Sequence, residues 1–169
     1  MTKADVIKRI HRARLSHKMW VSYAHGLIEG IPLDQDKVPV APTDCKFGQW
    51  YYGEGRGLSD LASYCRIEPP HDELHATYRR IFNILFEEQA EKPTPLARLF
   101  GSTGFDDTRR LDRARELLPH LKQCSATILT HLDRLAEDIQ AMDEEEVRRR
   151  LGGYPDDASA GAVCEHCES

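Results

Sequence analysis

The chain has 169 residues, 40% of them hydrophobic and 30% charged, enough apolar material for one buried core, and no apolar run approaches the ~20 residues that span a bilayer. With 23 basic and 28 acidic side chains the formal net charge is -5, so no global positive field draws the chain to phosphate backbones and nucleic acid is not an expected partner. The opening "MTKADVIKRIHRARLSHK" alternates charged and apolar residues without a secretory core, which predicts a cytoplasmic protein.

Residues 4 to 29 place Val6, Ile7, Ile10, Ala13, Met19, Trp20, Ala24, Leu27 and Ile28 at spacings near three and four, predicting a long amphipathic helix that Gly30 and Pro32 end. The stretch "IPLDQDKVPVAPTD" has no period and reads as a loop running into Cys45. Phe47, Trp50 and Tyr51 fall at i, i+3 and i+4, a short second helix that stops at Gly53, Gly55 and Gly57; "LSDLASYCRI" adds a further helical turn or two. Pro69 and Pro70 set the start of a third helix through "HDELHATYRRIFNILFEEQAEK". After the breaks at "KPTP" and "FGSTGFDD", the sequence to Leu151 reads as helix almost throughout, with Pro119 expected to kink or divide it. Its "EEEVRRR" run reads as an exposed helix laced by i, i+4 charge pairs. Residues 152–169, small and polar, read as a flexible tail behind a helical domain spanning 1–151. The whole predicts an all-α antiparallel helix bundle.

Cysteine usage narrows the chemistry. Cys45, Cys65, Cys124, Cys164 and Cys167 are an odd set in a chain without an export signal, which argues against a disulfide framework and leaves metal binding, redox chemistry or packing. Cys65 and Cys124 lie in helical contexts where inert packing is the default. His71 and His75, four apart on the third helix, project from one face toward a single ion. Eight histidines in the chain make such a pair a weak signal by itself. His17, on the polar side of the first helix, and Cys45 extend it to three imidazoles and one thiolate, a common closed tetrahedral zinc shell.

Three stretches in this order, "H-x-x-W" at His17 to Trp20, "C-x-F-G-x-W-Y-Y-G-x-G" at Cys45 to Gly55 and "H-x-x-x-H" at His71 to His75, resemble the chemoreceptor zinc-binding (CZB) domain. The middle stretch is the specific one, and the resemblance covers Val6 to roughly Ala90. It implies a four-helix bundle in which His17, Cys45, His71 and His75 bind one zinc ion, with Trp20 and Trp50 packed around it and the helices after Lys92 as an addition. It also implies a sensory or regulatory role in bacterial signalling, through zinc occupancy or oxidation of the zinc-bound cysteine. The expected partner is a signalling protein of the chemoreceptor or diguanylate cyclase class, and a homodimer is compatible with it. No coiled-coil signalling hairpin and no G-G-D-E-F motif is present, so the chain reads as a stand-alone domain.

Two other classes compete. "HDELH" invites a zinc hydrolase, but Asp72 stands where H-E-x-x-H has its general base, and a Cys45 ligand would close the open coordination position. The expectation is therefore no enzyme. A helical interaction module with a purely structural zinc is the other alternative. "CEHCE" at the C-terminus lacks the histidine of a c-type haem site and the second half of a zinc ribbon.

Overall fold

The structure, a computed structural model, describes residues 1–33, 41–87 and 104–152; the expected tail from 153 onward, like 34–40 and 88–103, lies outside them. Every regular element among the described residues is helical. Helix α1 spans Lys3–Ile28 and opens in a reciprocal cap: the Thr2 hydroxyl accepts from the Asp5 N–H at 3.2 Å, and the Thr2 N–H donates to the Asp5 carboxylate at 3.0 Å. Helix α2 spans Lys46–Tyr52, a 3-10 segment follows over Glu54–Leu58, and α3 is a single turn over Ala62–Cys65. Helix α4 spans Glu68–Phe82 with Pro69 in its first turn, and passes into a π turn over Asn83–Glu87.

Helix α5 is the longest, Gly104–Ala141, and α6 spans Glu144–Leu151. Pro119 does not divide α5, which runs through it. Pro119 lies on the solvent side, where water can satisfy the carbonyl that the missing N–H leaves unpaired. The helix breaks instead before Asp143, whose carboxylate accepts from the Glu146 N–H at 2.7 Å and starts α6 afresh.

Polar contacts give the helix directions. Along α1, Lys3 meets Gln140, Met142 and Glu144, Arg14 pairs with Asp133, the His17 carbonyl accepts from Ser125, and Glu29 pairs with Arg115. Numbers rise on α1 as they fall on α5, so the two helices are antiparallel. Ser63 bonded to Asp138 and Glu73 to His120 show the same for the segment from α3 into α4. Helix α5 thus packs against both α1 and α4, while α2 and α3 close the bundle beside them. The all-α helical bundle is as expected from the sequence.

The core runs the length of this arrangement, from Val6, Ile10, Leu135 and Ile139 at one end through Leu132 and Ile128 to Leu121, Leu74 and Tyr78. Helix α6 carries its expected intrahelical pairs, Arg150 with Glu146 at 2.9 Å and Arg148 with Glu144 at 3.6 Å. It is not simply an exposed strip, since Val147 and Leu151 are buried and Arg150 reaches Asp60. Its seat depends on Gly57: a Cβ there would stand 2.1 Å from the Arg150 carbonyl oxygen.

Candidate metal centre

Four local features bring the donors together. The Pro69 start of α4 sets its register, so that His71 and His75 both point inward, 0% and 1% exposed, with ring centroids 4.7 Å apart. Cys45 is the N-cap of α2, in extended conformation, and its sulfur accepts from the Gly48 N–H at 3.0 Å. Gly48 permits this turn, because a Cβ there would fall 1.8 Å from the Pro42 carbonyl oxygen. His17 enters from the middle of α1, 3% exposed.

The structure places Cys45 Sγ, His71 and His75 within 4.8 Å of one another through one donor atom each, with Sγ 3.5 Å from His71 Nε2. Donors of a tetrahedral zinc shell stand about 3.3–3.8 Å apart, a range that the sulfur–His71 distance already meets. His17 stands against this group without being part of it: its ring centroid is 5.5 Å from that of His71. Its Nδ1 is 2.7 Å from the Ala13 carbonyl, a hydrogen bond in which Nδ1–H donates and which leaves the Nε2 lone pair for a ligand role.

Aromatic rings enclose the cluster. Phe47 meets His71 and His17 edge to face at 5.3 and 5.5 Å, and Trp20 meets His75 at 4.6 Å. Trp50 sits one ring further out, on Phe47 at 5.9 Å. Behind them Tyr51 and Tyr64 stack at 4.2 Å and each hydroxyl donates to the other's backbone carbonyl, which ties α2 to α3.

Burial sets the protonation states. It drives the His71 pKa down to about 2, with His17 and His75 adding to the effect, and it lowers that of His17 against the Ala13 hydrogen bond. Both rings are therefore neutral donors at physiological pH. The Cys45 thiol is pushed up by burial and by Asp44, against the N–H groups of Gly48 and Phe47, so it needs a cation beside it to become a thiolate. His71 Nδ1 is buried with no hydrogen-bond partner among the described residues. A buried, neutral nitrogen–sulfur cluster with no carboxylate in it suits zinc and disfavours calcium or magnesium.

Several contacts lay outside what the sequence offered. Neither Asp44 nor Asp72 is hydrogen-bonded to an imidazole among the described residues: Asp72 accepts from the Tyr52 hydroxyl at 3.2 Å and the Asp44 backbone carbonyl accepts from Gln49 at 3.4 Å. The acceptor observed is the Ala13 carbonyl, a backbone group that carries no sequence signal. His120 meets Glu73 at 2.9 Å and lies 3.8 Å from the Cys124 sulfur. Cys65 is buried and disulfide-bonded, not an inert thiol. Cys164 and Cys167 lie outside the described residues.

The family model of the chemoreceptor zinc-binding domain matches residues 17–82, a span that opens on His17 and contains Cys45, His71 and His75. No curated protein and no solved structure matches the chain. Residues 17–82 are thus similar to the chemoreceptor zinc-binding domain, and the cluster of Cys45, His71 and His75 that could hold a metal lies inside that span. No helix among the described residues is long and apolar enough to cross a membrane.

Proposed function

We propose that the zinc-binding domain of this chain holds one zinc ion through His17, Cys45, His71 and His75, and that the state of Cys45 sets a signal passed to a partner protein. The observation that carries this reading is the buried Cys45–His71–His75 cluster with the His17 ring against it, inside the matched segment. Bound zinc supplies the positive charge that keeps the Cys45 sulfur as thiolate. The chain's own residues do the rest. Ala13 fixes the tautomer of His17, Phe47 and Trp20 keep water from the rings, and the Gly48 N–H holds the sulfur at the head of α2.

Cys45 is at once a metal donor and the cap of a seven-residue helix, and this is what fits it for a switch. A hydroperoxide that oxidises this sulfur to a sulfenic acid, or loss of zinc, removes both roles together. Helix α2 then loses its hold on the loop before it, and Phe47, Trp50 and Tyr51 move with it. The output partner is a protein of the signalling class that such domains serve, in the cytoplasm.

The burial of the cluster favours one other reading, a permanently filled structural zinc in a helical interaction module. Elemental analysis of protein purified without added metal, beside Cys45→Ala, His71→Ala and His17→Ala, tests the site. One zinc per chain, lost in Cys45→Ala and His71→Ala and weakened in His17→Ala, supports the four-ligand assignment; zinc retained in Cys45→Ala overturns it. Competition with chelators then separates sensor from staple, because a site that never empties and resists peroxide reports nothing.

A further inference from the structure

On the outer side of the aromatic wall, a cleft of about 440 Å³ opens between α1 and α2. Arg9 and Arg12 come to it from α1 and Lys46 from α2, while Phe47 and Trp50 form its floor and Leu15 its rim. No acidic residue lines it among the described residues. Arg9 is paired with Glu54 at 3.6 Å, while Arg12 and Lys46 have no ion pair among the described residues. In a chain of net charge -5 this is a local excess of positive charge facing a hollow, the arrangement that gathers anions.

The floor says what kind of anion. Phe47 and Trp50 are 7% and 4% exposed, so only a small part of each ring reaches the base of the cleft. The Trp50 indole N–H is buried and has no acceptor among the described residues. Leu15, 63% exposed, adds apolar contact at the mouth. A bare phosphate would use the cations and leave the rings idle, and about 440 Å³ lies within the ~300–1,000 Å³ of sites that enclose small organic molecules. Guanidinium groups pair bidentately with phosphate, and an aromatic ligand can meet partly covered rings edge to face.

We infer that the cleft between α1 and α2 binds a small aromatic phosphate, with Arg12 and Lys46 on the phosphate and Phe47 and Trp50 under the ring. This goes beyond the metal reading and stands on different residues. It also places the ligand one ring from the metal centre, since Phe47 contacts both His17 and His71. Ligand affinity then differs between zinc-loaded and zinc-free protein.

The test is a nuclear magnetic resonance titration of the zinc-loaded full chain with phenyl phosphate, read at the Trp50 indole and the Lys46 and Phe47 amides. Inorganic phosphate and phenol serve as half-ligands. Saturable shifts, weakened about tenfold or more with either half-ligand and in both R12E/K46E and the milder R12Q/K46Q, are expected. No saturable shift, or shifts that both variant pairs leave unchanged, overturns the inference; so does inorganic phosphate binding as tightly as phenyl phosphate, which would make this a bare anion site. Zinc content measured on the same samples keeps the two readings apart. Cleft failure with one zinc per chain retained sinks only the cleft, whereas a wild-type chain without zinc sinks the metal reading.

Discussion

Two regions of this bundle are built on opposite principles. Where α1 begins and α5 and α6 end, Val6, Ile10, Leu135, Ile139 and Val147 are all 0% exposed, and burial of aliphatic surface is the whole of the stabilisation. Midway along α1, His17, Cys45, His71 and His75 occupy positions just as deeply buried. Burying polar groups there costs free energy unless something satisfies them, and the protein supplies only part of what they need. One region folds on its own account, and the other, on the proposed reading, is completed by a ligand.

The sharpest way to break this comparison is to take the metal away. Cys45→Ala or His71→Ala, or a strong chelator acting on the wild type, should remove the zinc and lower stability by about 3 kcal/mol, a fall in Tm of roughly 10 °C. Calorimetry with and without chelator reads the effect. If the variants have lost zinc yet melt with the wild type, the polar region is not completed by the ion and the contrast disappears.

At the aliphatic end, Leu135→Ala should cost a similar or slightly smaller amount, about 3 kcal/mol or less, by leaving a cavity. The informative readout is zinc, not stability: the ion should stay bound with unchanged stoichiometry. Loss of zinc in a folded Leu135→Ala protein would show the two regions to be one cooperative unit.

A smaller effect is expected where the backbone positions the sulfur. Gly48→Ala puts a Cβ against the Pro42 carbonyl, which must shift together with the cap on Cys45. Overpacking of this kind costs about 1–3 kcal/mol, and a displaced donor should weaken zinc affinity about tenfold while leaving all four side chains in place. Chelator competition measures it. An affinity equal to that of the wild type would mean that the loop before α2 yields freely and does not position Cys45.

Most of the fold, and the three residues Cys45, His71 and His75 that cluster in it, could be read from the residues before any coordinates. The long helices announce themselves by apolar spacing, and "CKFGQWYYGEG" compresses a ligand, a cap and an aromatic wall into one stretch. What could not be read has a common cause. The helix break before Asp143 and the continuity through Pro119 depend on which side of α5 faces water, which emerges only once α1 and α4 are packed on it. The Ala13 carbonyl, the Glu73–His120 contact and the seat of Gly57 on α6 join backbone atoms or distant segments, for which no spacing rule exists. The sequence pattern likewise puts His17 beside the other donors, while the structure brings Cys45, His71 and His75 closer to one another than to it.

The smallest effect lies at the junction between the two regions, where Arg150 on α6 meets Asp60, the end of the turns that follow α2. The hydrogen bond from Arg150 holds the Asp60 carboxyl below its usual value of 3.8. A carboxyl lowered in the folded state stabilises fully above its unfolded pKa, and that contribution is lost as pH falls through the lower folded value. Asp60 is 61% exposed, so solvent screening limits the pair to about 0.5 kcal/mol. Asp60→Asn should therefore be less stable than wild type by that amount at pH 7, and the gap should close toward pH 3 and in high salt. Acid also protonates the metal ligands, so the quantity to follow is the difference between variant and wild type in urea unfolding at each pH. Zinc loss is common to both and cancels. A gap that persists at pH 3 would mean that Asp60 acts through packing or backbone geometry, and that charge does not join α6 to the metal-bearing half of the bundle.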